Sequence, residues 1–298
     1  MRSAVCLKKK AILVTGATGK QGGALARVLL NNGHHVRAVT RNVESPQARG
    51  LAQQGAELFP ADADNVASLE RAAAEMDAVF AMATPFEGGI EAEIRQGINI
   101  VNAAQVAGVK HIVYSSVAGA DQKTGIPHFE SKYQVEQHLR RLGLPFTIIA
   151  PVYFMENLLA PWNTAWLSSG VYALALPAGR QLQQIAVADI GGFAAEVIAR
   201  PDEFAGERIE IASDEHTGTE AAAIVANASG HEMTYVEVPL EQVRAESEDL
   251  AIMFEWINRV GYQADLAGLR AQYQNVGWHT LEDWAAAQHW TQLLNRNE

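Results

Sequence analysis

The sequence predicts an α/β fold, a doubly wound parallel sheet followed by a smaller C-terminal α+β domain. Three observations carry that expectation. Short apolar runs alternate with helical patterns over residues 11–151. The first strand-to-helix junction, Gly16 to Gly23, is rich in glycine. Beyond Pro151 the alternation breaks, and all six tryptophans lie there. Strand–helix alternation at this spacing calls for parallel strands joined by right-handed crossovers. The first ~150 residues hold enough units for an open sheet, whereas a closed eight-stranded barrel needs about 250 residues of unbroken alternation.

Each element has its own reason. "AILV" (11–14) is continuous and aliphatic, as a strand buried on both faces must be. "ALARVLLNNG" sets Ala24, Leu25, Val28 and Leu29 at helical spacing, and Asn32-Gly33 stops it. "HVRAVT" (35–40) is strand two, residues 46–54 a helix, and "AELFP" (56–60) strand three. Asp64 or Asn65 caps a helix that runs to Glu75. "DAVFAMAT" (77–84) is strand four. The long helix after it carries Ile94, Ile98, Val101 and Val106 on its apolar side. "KHIVYSS" (110–116) is strand five, "ESKYQVEQHLRRLG" a helix stopped by Gly143, and "FTIIAP" (146–151) strand six. Later, "QIAVADIGGFAAEVIARP" reads as a strand entering a helix that returns to the main sheet. "ERIEIAS" (207–213) reads as an edge strand, and helices fall near 217–228, 247–261 and 280–291. Thr280 and Asp283 form a capping box. The expected division is a dinucleotide-binding domain over 1–155, with return segments near 183–213, and a smaller domain over 156–298.

The chain has 298 residues, enough for a sizeable core. Its net charge of -11 argues against a general nucleic-acid or anionic-membrane binder, since phosphates attract a basic face. A single cysteine, Cys6, excludes an intramolecular disulfide and suits a reducing compartment. The start, "MRSAVCLKKK", has no apolar core of a signal peptide and reads as a solvated terminus. The most apolar long window, residues 158–177, is broken by Pro161, Asn163, Ser168, Ser169 and Gly170, which argues against a membrane span. The expected location is the cytoplasm.

Gly16-x-x-Gly19-x-x-Gly22 follows a strand and opens a helix, which is the context a dinucleotide fingerprint requires. Gly16 allows a tight turn, Gly19 lets backbone amides approach a pyrophosphate, and Gly22 brings helix and strand close. The helix N-terminus offers unpaired N–H groups to the phosphates. Lys20 is followed by Gln21, so the loop is not a P-loop. At the end of strand two the chain reads Thr40-Arg41-Asn42, with no carboxylate for a ribose 2′-hydroxyl. Arg41 instead suits a 2′-phosphate, so NADP(H) is the expected cofactor. Lys20 adds charge near the phosphates, and Asp62, after strand three, is a candidate adenine contact.

"VTGATGKQGG", "AVTRN", "GINIVNAAQVAGVKHIVYSSVAGA", "PHFESKYQVEQHLR", "PVYFMENLL" and "VADIG" together resemble the NmrA-like branch of the atypical short-chain dehydrogenase/reductases. This branch includes NADPH sensors and bacterial quinone and dye reductases. The resemblance implies a Rossmann domain with a smaller C-terminal domain. It assigns Gly16, Thr18, Gly19, Lys20, Gln21 and Gly22 to the phosphate loop and Arg41 to the 2′-phosphate. It assigns Thr84 to the ribose–nicotinamide side, Lys132 to the helix after strand five, and Tyr153 and Asn157 to positions beside the nicotinamide.

Active short-chain dehydrogenases carry Tyr-x-x-x-Lys, in which the lysine lowers the tyrosine's pKa. Here the pattern is His128-x-x-x-Lys132, and Tyr133 is one residue too late. Ser115 and Ser116 stand where the superfamily has its serine. Lys132, His128 and Tyr153 are the candidates for proton handling, imidazole being suited to it near neutral pH. The nine histidines show no ligand spacing, and no metal site is expected. The tryptophans read first as core, with an aromatic-lined substrate site as the alternative. Two functions follow. One is an NADPH-dependent reductase of a quinone, enal or dye. The other is a non-catalytic sensor of the NADP(H) ratio that acts on a regulatory protein partner. A homodimer is compatible with either.

Overall fold

The computed structural model describes residues 9–294; Cys6 and the rest of the N-terminal segment through Lys8 lie outside them. In chain order the first half runs β1 (Ala11–Val14), α1 (Lys20–Asn31), β2 (His35–Thr40), α2 (Pro46–Gln53), β3 (Glu57–Pro60), α3 (Val66–Ala73), β4 (Ala78–Ala81), α4 (Pro85–Val106), β5 (His111–Ser115), α5 (Pro127–Arg141) and β6 (Phe146–Pro151). Then come β7 (Tyr153–Phe154), α6 (Pro161–Ser168), β8 (Val171–Leu174), β9 (Gln181–Ile185), α7 (Val187–Ala199), β10 (Arg208–Ile211), β11 (Asp214–Thr217) and β12 (Thr234–Glu237), with further short helices between and after them.

Seven strands form one sheet in the order β10-β6-β5-β4-β1-β2-β3. The pairs from β3 to β6 are all parallel, in register Ala11 with His35 and Ile12 with Ala78 on either side of β1. This is the doubly wound arrangement expected of the alternation. The chain order reverses between β1 and β4, and in such sheets ligands bind outside the carboxyl ends of the strands at that reversal. β10 takes the outer edge, as "ERIEIAS" implied. The core on one face joins Leu13, Val79 and Ile112 of the strands to Leu69 of α3, Val101 of α4 and Leu139 of α5.

The chain separates into two compact units. The first comprises the described residues up to Ser116, Ser131–Ala150 and Ile190–Ile209. The second comprises Val117–Glu130, Pro151–Asp189 and the chain from Glu210 onward. Two small sheets, β11-β9-β7 and β12-β8, stand outside the seven-stranded one.

Several expectations are corrected. β9 pairs with β7 and β11 rather than returning to the main sheet; its helix α7 does return, with Gly191 so close to α1 that a Cβ would lie 2.7 Å from the Ala24 carbonyl carbon. The buried face of α4 is Ala92, Glu93, Gly97, Ile100, Val101, Ala103 and Ala104, while Val106 is exposed. Small residues win that face because α5 packs tightly there: a Cβ on Gly97 would lie 2.7 Å from Val135. α3 stops at Ala73, and Glu75 takes a left-handed φ of 66°. β4 stops at Ala81, which frees Thr84 to cap α4. The final helix divides into Leu281–Ala286, with its capping box, and Trp290–Leu294. Trp256, Trp278, Trp284 and Trp290 are core, whereas Trp162 and Trp166 of α6 are not.

Candidate dinucleotide site

The glycines of the first junction have distinct physical reasons. Gly16 holds a φ of +60°, and a Cβ there would meet Met82 Sδ at 2.7 Å. Gly22 lies so near the turn that a Cβ would fall 2.4 Å from the Gly16 carbonyl oxygen. No side chain larger than hydrogen fits between the turn and α1. Gly19 differs. A Cβ there would touch only the Gly16 oxygen, at 3.2 Å. That contact is tight but less severe than those at Gly16 and Gly22, and Gly19 stands at the start of α1. Gly19 is the N-cap of α1 and no side chain caps the helix. A bare helix N-terminus beside a Cβ-free turn is suited to an anion. The residues present therefore fit the pyrophosphate of a dinucleotide.

The loop is anchored on both sides. Thr15 Oγ1 donates towards the Phe80 and Met82 carbonyls, at 3.1 and 3.2 Å, and accepts from Met82 N at 2.9 Å. That ties the ends of β1 and β4 together. Ser115 Oγ, at the end of β5, donates to Gln21 Oε1 at 2.6 Å. One of the two serines of the superfamily's serine position thus braces the glycine loop. The other, Ser116, donates at 2.5 Å to Glu136, a fully buried carboxylate that also accepts from Arg208 Nε at 3.1 Å.

Thr18 and Lys20 lie at the mouth of the turn, Lys20 exposed. Arg41 follows β2, is exposed, and pairs with Glu87. Asp62 follows β3 and is exposed; its Oδ1 accepts from Asp64 N at 2.9 Å, closing a local turn. Thr84 follows β4, its hydroxyl accepting from Phe86 N at 3.5 Å. All these residues sit past the carboxyl ends of parallel strands in the first unit.

Lys132, on α5 in the same unit, is largely buried. Its Nζ lies 2.8 Å from Glu93 Oε1 and donates to the Ala83 carbonyl at 3.1 Å. Glu93 is fully buried, and Ser131 Oγ donates to its other oxygen. The lysine is therefore fixed beside the end of β4, next to Thr84. Sequence reasoning missed Glu93 and Glu87. Glu93 had a legible sign: it lies on the stripe of α4 that also holds Gly97, Ile100, Val101 and Ala104, so a charge sits in a core-facing position. Glu87 had none, being a surface acid in the first turn of a helix.

The second unit holds the remaining candidates. α5 begins at Pro127, so His128 lies in its first turn. His128 Nδ1 is 2.5 Å from Asp249 Oδ2, and its backbone N–H donates to Asp249 Oδ1 at 3.0 Å. Burial pushes the Asp249 carboxyl up, but the hydrogen bonds and charge of His128 outweigh it and the net shift is downward. Burial raises the Tyr153 phenol, and its hydrogen bond with Asn157 offsets that only in part. This is opposite in sign to the shift that a proton-transferring tyrosine needs. Among the described residues no group of three or more potential ligands could hold a metal ion, and no helix is long and apolar enough to cross a membrane.

The family model described as NmrA-like matches residues 8–287. The chain belongs to the NmrA-like family. An NmrA-like family domain-containing oxidoreductase of Malbranchea aurantiaca is 30% identical over 286 residues, covering 85% of this chain and 84% of its own. An NADPH-dependent quinone oxidoreductase of Escherichia coli, solved with NADPH, is 26% identical with a TM-score of 0.75, covering 92% of this chain and 98% of its own. NmrA, a negative transcriptional regulator solved with NAD, shares the fold at 23% identity and a TM-score of 0.80, covering 97% and 98%. The fold is thus common to an oxidoreductase and to a regulator, solved with NADPH and with NAD respectively.

Proposed function

We propose that the protein binds NADP(H) through its first unit and reduces a small, flat, electron-poor acceptor such as a quinone or enal. The observation that carries the reading is the bare helix N-terminus beside Gly16, Gly19 and Gly22, together with Arg41 in place of an acid after β2. Gly19 gives the pyrophosphate its clearance, Lys20 and Gln21 border it, and Arg41 meets the 2′-phosphate. Thr84 and Lys132 serve the ribose–nicotinamide side. Asp62 is the candidate adenine contact. Bound there, NADPH supplies the hydride for the acceptor. The balancing proton is assigned to Lys132 or His128, because burial makes the Tyr153 phenol a weaker acid. The oxidoreductase and quinone-reductase relatives support this reading.

A second reading, a sensor of the NADP(H) ratio acting on a protein partner, is favoured by His128 at the tyrosine position and by the engagement of Lys132 with Glu93. It requires different affinities for the two redox forms in the partner-binding state.

The test mixes protein, NADPH and a panel of quinones, enals and dyes and follows nicotinamide absorbance. Turnover that disappears in a folded Glu93→Gln/Lys132→Met variant supports the reductase. Tight NADPH binding without consumption across the panel refutes it and favours the sensor.

A further inference from the structure

We propose that Glu87 competes with the cofactor's 2′-phosphate for Arg41 and so sets how strongly the site prefers NADP over NAD. The inference rests on the NADP reading above and names a residue that reading does not use. Arg41 Nη2 lies 2.5 Å from Glu87 Oε2, and each side chain is 65% exposed. The guanidinium assigned to the phosphate is therefore already paired with a carboxylate of the same chain.

The segment that carries Glu87 is built to let go. Thr84 caps the first turn of α4 and Pro85 occupies its first position. Gly89, two residues past Glu87, breaks the helix with φ 81° and ψ 179°. A Cβ on Gly89 would meet nothing within 4 Å, so there is open space on that side of the joint. Phe86, beside Glu87, is 80% exposed, so the turn is not pinned by a buried anchor there. Glu87 thus rides on a single turn connected to the rest of α4 through a non-helical glycine. Its place in that first turn also suits an acidic side chain.

The chemistry separates the two dinucleotides. A carboxylate already bonded to Nη2 occupies part of the guanidinium fork that a phosphate would grip and places a negative charge beside it. A 2′-phosphate must displace Glu87 or bind beside its charge. NAD presents a 2′-hydroxyl and leaves the pair intact. The native pair therefore weakens NADP selectively and moderates the preference that Arg41 creates.

Calorimetric titrations with NADP, NAD and 2′,5′-ADP, which carries the phosphate without a nicotinamide, test this on the full chain. Glu87→Gln is expected to tighten NADP and 2′,5′-ADP by roughly two- to tenfold and to leave NAD unchanged, as the loss of one exposed pair and one repulsion implies. The gain should vanish in Glu87→Gln/Arg41→Ala. Equal shifts for NADP and NAD, no shift, or a gain that survives Arg41→Ala would overturn the role of Glu87 while leaving the cofactor reading intact. If Arg41→Ala alone leaves the NADP/NAD affinity ratio unchanged, the 2′-phosphate reading itself fails and the inference with it.

Discussion

Replacing Lys132 with methionine removes the ammonium group that faces Glu93 and keeps the length of the side chain. The Glu93 carboxylate is fully buried; its partners are Lys132 Nζ at 2.8 Å and the Ser131 hydroxyl. One hydroxyl does not compensate a charge in the interior. Removing one partner of a buried pair costs about 3–5 kcal/mol, because the other charge is left without compensation. At about 1.6 °C per kcal/mol for a chain of 298 residues, the melting temperature should fall by roughly 5–8 °C. Glu93→Gln/Lys132→Met should recover most of that loss, since it removes both charges and retains an acceptor for Ser131. Urea unfolding at pH 7 of the native chain, both single variants and the double variant closes the cycle. A loss below about 1 kcal/mol in Lys132→Met, or a double variant as unstable as the single, would refute the buried-charge argument. The result bears on catalysis too. Activity lost in a Lys132 variant that barely folds says nothing about proton transfer, so the double variant is the cleaner probe.

Gly22→Ala should destabilise by about 1–3 kcal/mol and abolish dinucleotide binding, because its Cβ would press on backbone that cannot move aside. Gly179→Ala, whose Cβ meets nothing, is the control and should stay within about 0.5 kcal/mol in the same melts. His111 is buried, its Nε2 bonded to Thr147 Oγ1 at 2.9 Å and its Nδ1 without a hydrogen-bond partner. Burial, aided by the charge of Lys10, pushes its pKa down from 6.5 to about 4. The unfolded chain therefore takes up a proton that the folded chain refuses, and the stabilising contribution, full above pH 6.5, is lost towards pH 4. The slope should be about 1.4 kcal/mol per pH unit in that window, and His111→Gln should flatten it in denaturant titrations. Asp249→Asn should remove a contribution that is present above the ordinary carboxylate value of 3.8 and lost as pH falls through the lower folded value, visible as a shallower acid limb of unfolding.

The first 150 residues were legible because strands buried on both faces must be continuous apolar runs. "AILV", "HIVYS" and "FTIIAP" are such runs, and α1 and α5 end on the glycines Gly33 and Gly143 that stop them. The small sheets were not. β9 reads "QLQQI" and β11 reads "DEHT", sequences with no apolar alternation. Gln183 is buried because its amide both donates to and accepts from Ala264, 81 residues away, a partnership no local pattern announces. The same distance in sequence hid the site's second layer. Gly16, Gly19 and Gly22 declare themselves within seven residues, whereas the pairs Lys132–Glu93 and Arg41–Glu87 span 39 and 46 positions. A charge on a helix reads as solvated until its partner is known.

The first unit is assembled from three separate stretches of chain, the last of them Ile190–Ile209. The gene therefore offers no single point at which the nucleotide-binding half can be cut away. A fragment ending at residue 155 would lack α7, which seats Gly191 against α1, and β10, which covers the flank of β6. Such a fragment would present an unpaired strand edge to its neighbours and should aggregate rather than bind cofactor. The two halves cannot be exchanged as cassettes.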